Sequence, residues 1–199
     1  MAVAARSRKR PPEVLTPEEV RALIGACSNR APTGIRNRAL IAVLWRCGLR
    51  VGEALALDPR DVDLDAGTLR VRHGKGDRSR TVGLDGQAQA LIARWLDRRQ
   101  RLGVNGRRRL FCKLDGGPLE QSYVRHLLRR LAAKAGIERR VHPHGLRHTY
   151  SAELAREGVP MNVLRDALGH SSLATTDRYL RDVAPVHVIE TMRRREWAL

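Results

Sequence analysis

The chain has 199 residues, with 38 Lys and Arg against 21 Asp and Glu, a formal charge of +17. Residues 1–100 hold 19 basic and 11 acidic side chains and the remainder 19 and 10, so the excess of +8 and +9 is spread over a body that faces a polyanion. A hydrophobic fraction of 42% mixed through 30% charged residues excludes disorder, and the longest apolar run, Ala39 to Trp45, is far short of the roughly 20 residues of a membrane span.

Met1 to Pro12 is Arg-rich without the apolar core of a signal peptide, so residues 1–14 are expected to form a flexible basic arm. Three widely spaced cysteines, Cys27, Cys47 and Cys112, fit neither a disulfide framework nor a zinc ribbon and predict a reducing, cytoplasmic setting. Only four of the basic residues are Lys (Lys9, Lys75, Lys113, Lys134). Arg grips phosphate with a planar fork, whereas a Lys is able to give up its proton, so each Lys in a polar turn is a candidate acid.

Thr16 and Pro17 read as the N-cap and first residue of a helix running to about Cys27, with Glu18 and Glu19 in its first turn. Leu40, Val43, Leu44 and Cys47 recur at helical spacing and predict a second helix over 33–48, stopped by Gly48. A short helix follows over Val51 to Leu57. The period then changes to two, and strands at 68–72 and 80–84 flank the turn His73-Gly74-Lys75-Gly76-Asp77. Helices are predicted at 86–102 and 120–135, separated by a loop with a short strand at Leu110 and Phe111. Four more are predicted at 143–157, 160–168, 171–181 and 185–197. The expected fold is a mainly α domain with one small antiparallel β-sheet (α+β).

Among the polar residues, His144 and Arg147 lie three apart at a helix start and share one face. His170 falls at the junction between two helices, where Gly169 stops one and Ser171 or Ser172 caps the next, beside unpaired backbone N–H groups suited to a phosphate oxygen. Tyr179 lies off the apolar stripe of Leu173, Thr176 and Leu180, whereas Tyr123 and Tyr150 share faces with leucines and read as core. Arg50 follows a helix stop, and Glu53, three residues on, is placed to hold it. Lys75 occupies the tip of the hairpin. Each of these side chains alone is as easily a solvated surface group. Asp61-x-Asp63-x-Asp65 fails as a calcium loop because Ala66 and Arg72 stand where Gly and Glu are required, and it reads as a turn and strand start. His144 and His148 lack the Glu of a zinc-protease helix, so no metal site is predicted.

Taken in chain order, Arg50, Lys75, His144-x-x-Arg147, His170 and Tyr179 resemble the pattern of the tyrosine recombinases, or phage integrase family. Gly48-Leu49-Arg50-x-x-Glu53-Ala54-Leu55 and Leu168-Gly169-His170-Ser171-Ser172-x-x-Thr175-Thr176-x-x-Tyr179 support the likeness, which runs from about Leu15 to Asp182. The resemblance implies a catalytic domain over 15–184 and a C-terminal helix over 185–199 that docks on a neighbouring protomer. Family members usually add an N-terminal helical domain that closes a C-shaped clamp over DNA, and the residues here resemble the catalytic part. The implied activity is site-specific recombination of double-stranded DNA (integration, excision or inversion) by a tetramer on paired sites, without cofactor or metal. Tyr179 would attack the phosphate, and Arg50, Arg147 and His170 would clamp it. His144 would act as base and Lys75 as general acid, with Glu53 in support. DNA relaxation of the type IB topoisomerase kind and a non-catalytic DNA-binding module are the alternatives.

Overall fold

The computed structural model describes residues 14–72, 79–104, 108–169, 192, 193 and 195. The predicted helices at 171–181 and 185–197 and the basic arm lie outside this set, except for Val14 and the three isolated C-terminal residues. Helix α1 (Pro17–Gly25) begins as the sequence implies. The Thr16 hydroxyl accepts from the Glu19 N–H at 3.2 Å, and the Glu19 carboxylate accepts in return from the Thr16 N–H at 2.7 Å. Helix α2 (Pro32–Arg46) is buried from Gly34 to Trp45 apart from Arg38, which makes it the central element of the core. The other helices wrap around it because an apolar run buried on all sides needs cover in every direction.

After α3 (Val51–Ala56) and a single 3-10 turn at Pro59–Asp61 come three antiparallel strands in the order β1 (Val62–Asp63), β2 (Thr68–Val71), β3 (Arg80–Gly83). The β2–β3 register sets Leu69 opposite Val82 and Val71 opposite Arg80. Leu69, Val71 and Val82 are buried while Arg70 and Thr81 point outward, so Arg80 occupies an inward position. The first strand was not separately expected. Its neighbours explain the acidic run around it: Asp63 accepts from the Ala66 N–H at 2.8 Å in the β1–β2 turn, and Asp61 accepts from the Asp58 N–H at 2.8 Å while pairing with Arg72.

Helix α4 (Gly86–Arg101) is capped by Asp85, whose carboxylate accepts from the Ala88 N–H at 2.8 Å. The strand predicted at Leu110 and Phe111 does not form. Leu110 donates its N–H to the Leu57 carbonyl at 2.7 Å and receives the Trp95 indole N–H on its own carbonyl at 2.8 Å, so its backbone groups are satisfied by a loop and a side chain. Only one bridge, Cys112 to Pro118, remains there.

Helix α5 (Gln121–Lys134) carries Tyr123, which is half-buried against the core as expected; its hydroxyl also meets the Arg36 guanidinium at 2.5 Å and Asn37 at 3.3 Å. Helices α6 (Pro143–Arg156) and α7 (Met161–Leu168) complete the described fold, with Leu164 and Leu168 packed among Tyr150, Leu154 and Met161. All three cysteines are buried and free, and burial pushes the Cys27 thiol up to about 11 and the Cys47 thiol up to about 12. Among the described residues no helix is long and apolar enough to cross a membrane.

Gly48 ends α2 with φ +59°, and a Cβ built on it would stand 2.3 Å from the Tyr150 ring. Gly48→Ala is therefore expected to lose about 1–2 kcal/mol from backbone strain and about 1–3 kcal/mol more from overpacking, read as a lower midpoint in urea unfolding.

Candidate active site: one carboxylate among three arginines

Arg50 stands immediately before α3, and Glu53 is the third residue of that helix. A Glu at this position turns back toward the helix start, and its carboxylate accepts from the Arg50 N–H at 2.8 Å and from Arg50 Nη1 at 2.8 Å. Glu53 thus contacts both the backbone N–H and the guanidinium of Arg50.

Two further guanidiniums reach the same carboxylate. Arg80, on the inward side of β3, grips it with both fork nitrogens, Nη1 to Oε1 at 3.1 Å and Nη2 to Oε2 at 2.8 Å. Arg147 Nη1 lies 3.8 Å from Oε2. Burial raises the Glu53 pKa, but hydrogen bonds from Arg80 and Arg50 and the Arg80 charge outweigh it and hold the group below the usual carboxylate range. Among the described residues, three guanidiniums face this one carboxylate, an excess of two positive charges.

The same arginines close the end of α7. Arg80 Nε donates to the Ala167 carbonyl at 3.0 Å, and Arg147 Nη2 donates to the Leu168 carbonyl at 2.5 Å while its Nη1 donates to the Gly48 carbonyl at 2.6 Å. The last carbonyls of a helix have no partner within it and form the negative end of its dipole, so two guanidiniums there satisfy both needs. Gly169 follows at φ +62°, with a built Cβ only 3.0 Å from Arg80 Nη1.

Helix α6 brings His144 and Arg147 to this place. Its N-cap is His142, whose Nδ1 accepts from the Gly145 N–H at 3.0 Å, and Pro143 opens the first turn. His144 is accessible on its outer side and packs its ring edge-on against His148, with centroids 4.2 Å apart. Partial burial, then the charges of Arg147, His142 and Arg50, push the His144 imidazole below 6.5. The downward shift favours the neutral imidazole.

Of the residues singled out in the sequence, Arg50, Glu53, His144 and Arg147 come together here, while Lys75, His170 and Tyr179 lie outside the described residues. Gly169 directly precedes His170 in the chain. Arg80 was missed. Its signal was the alternation itself: in Arg80-Thr81-Val82-Gly83-Leu84 the Arg shares the phase of the buried Val82 and Leu84, and a charge on a core-facing phase needs a partner. His142 was likewise overlooked, because a His is an unusual cap.

A family model described as "Phage integrase family" matches residues 13–184. Among curated proteins, tyrosine recombinase XerC of Halalkalibacterium halodurans is 36% identical over 192 residues, covering 90% of this chain and 63% of that protein. Tyrosine recombinase XerD of Xanthomonas axonopodis pv. citri is 37% identical over 177 residues, covering 84% and 58%. The chain thus spans less than two thirds of each relative. Among solved structures, the XerA recombinase superposes with a TM-score of 0.82 at 32% identity, covering 95% of this chain and 68% of that one. The XerH site-specific recombinase bound to palindromic difH substrate gives 0.76 at 29% identity, covering 94% and 54%.

Removing the shared carboxylate leaves cations buried without an anion, a change that typically costs about 3–5 kcal/mol. Glu53→Ala is expected to lower the unfolding free energy by about that amount. A carboxylate held low in the fold stabilises it fully above the unfolded value near 4.5 and loses this contribution as pH falls toward the lower folded value. Glu53→Gln should therefore lose stability at pH 7 and show a shallower decline on acidification below pH 4.5 than the unsubstituted chain, measured by thermal unfolding across pH.

Proposed function

Because this chain belongs to the phage integrase family, we propose that it carries the catalytic machinery of a site-specific recombinase of double-stranded DNA. The observation that supports the reading most directly is the arginine cluster around Glu53, with its surplus of two positive charges. A phosphodiester carries one negative charge, and attack by a phenolate adds a second in the pentacoordinate transition state. A preorganised cluster with an excess of two positive charges among the described residues is matched to that state better than to the ground state.

In this reading Arg50 and Arg147 hold the non-bridging oxygens, and His170 donates a further hydrogen bond. The Tyr179 oxygen attacks phosphorus and gives up its proton to His144, whose lowered pKa keeps it neutral and receptive at pH 7. As the phosphorus–tyrosine bond forms, the bond to the 5′-oxygen breaks, and Lys75 supplies the proton that this oxygen needs to leave. The product is a 3′-phosphotyrosyl ester and a free 5′-hydroxyl. Because one ester is exchanged for another, attack by a different 5′-hydroxyl rejoins the DNA without an external energy source. DNA is the partner, with four copies on paired sites and the segment 185–199 docking between neighbours. The spare arginines of the basic body serve the phosphate backbone, so affinity falls steeply with salt.

Incubation with a nicked duplex whose arms are selected from a randomised pool by binding to the chain is expected to trap a covalent adduct that Tyr179→Phe abolishes. An adduct that persists in Tyr179→Phe, or none with the unsubstituted chain, overturns the proposal. The rate of adduct formation should be flat near neutral pH and decline only below 6.5, and His144→Gln should remove that acid limb.

A further inference from the structure

We propose that Arg80 is a positioning residue for strand cleavage: by locking Glu53 and the end of α7 into one unit, it fixes the geometry of the guanidiniums that meet the phosphate. The inference rests on the recombinase reading above and assigns a role to a residue outside its motif.

Four observations converge on it. Arg80 faces inward from β3, opposite Val71, where an apolar residue is the ordinary occupant. Its side chain is 10% exposed, against 33% for Arg50, so it is the enclosed member of the pair. All three of its side-chain nitrogens are engaged within the protein, two on Glu53 and one on the Ala167 carbonyl. Gly169 lies against its guanidinium, where a Cβ would stand only 3.0 Å from Nη1. With its donors pointing at protein acceptors, Arg80 acts on the reaction through Glu53.

The chemistry requires Arg in particular. A carboxylate bound on one side by Arg50 has a second pair of lone pairs to fill, and if they stay empty it swings between partners. The planar fork of Arg80 fills both at once and leaves Nε, in the same plane, for the helix carbonyl; an ammonium has no such geometry. Buried ion pairs are in general no more stabilising than well-packed apolar residues of the same volume, so what Arg80 adds at an inward position is direction more than stability. The three contacts join α3, which follows Arg50, to β3, which follows the segment containing Lys75, and to α7, which precedes His170.

The test is single-turnover adduct formation on the selected nicked duplex, with Arg80→Gln and the milder Arg80→Lys, each checked for folding by thermal unfolding. Arg80→Gln is expected to lower the rate at saturating DNA by roughly 10–100-fold, the range seen when outer partners of a site are lost, with the half-saturating DNA concentration little changed. Arg80→Lys should restore folding stability more than rate. A second substrate carries an uncharged methylphosphonate at the scissile position, which asks less of the arginines. On it the ratio of unsubstituted to variant rate should shrink, because Arg80 acts through charge placement. An equal loss on both substrates, a loss confined to DNA affinity, or full rate in Arg80→Lys overturns the proposal. Loss of adduct in the unsubstituted chain overturns the recombinase reading and this one with it, whereas a trapped, Tyr179-dependent adduct with no Arg80 effect overturns this one alone.

Discussion

The carboxylate of Glu53 is the fixed point of the molecule. It is nearly buried, yet it is shared by guanidiniums from the start of α3, from β3 and from α6, and two of those guanidiniums also hold the last carbonyls of α7. Elements far apart in sequence are thereby held at one place by directional bonds. Hydrophobic packing around α2 brings these elements near one another, but packing is tolerant of small slides, and a site that must fit a transition state is not. Ion pairs with fork geometry supply the missing precision.

Acceptors other than carboxylates also serve the enclosed arginines. Arg36, Arg80 and Arg147 are all largely buried, but each points its nitrogens at carbonyls, a hydroxyl, an amide or Glu53. Backbone carbonyls at helix ends carry partial negative charge without titrating, so they offset cations at any pH. The body of the protein keeps its net positive charge for an outside partner while Arg36, Arg80 and Arg147 are satisfied within the fold.

Much of this was legible from residue order. The cap at Thr16, the stop at Gly48 and the period change at Thr68 follow from local chemistry, and the structure has them where the sequence implies. The pairing of Arg50 with Glu53 was legible for the same reason, since three residues span one helical turn. What stayed hidden depends on contacts across the chain. Arg80 and Glu53 are joined only once β3 packs beside α3, and the unformed strand at Leu110 is decided by Leu57 and Trp95, neither of which its own neighbourhood reveals. Tyr123 packs against the core as expected, but a face shared with leucines says nothing about the Arg36 donor to its hydroxyl.

The three enclosed thiols give the chain an internal reporter. Each is buried, and burial keeps the Cys27 and Cys47 thiols protonated well above neutral pH, so at those two sites thiol-selective dyes find little thiolate until the core opens. Dye uptake then clocks global unfolding, one count per cysteine. A cysteine introduced on the surface, by contrast, would take up label ahead of the three enclosed ones.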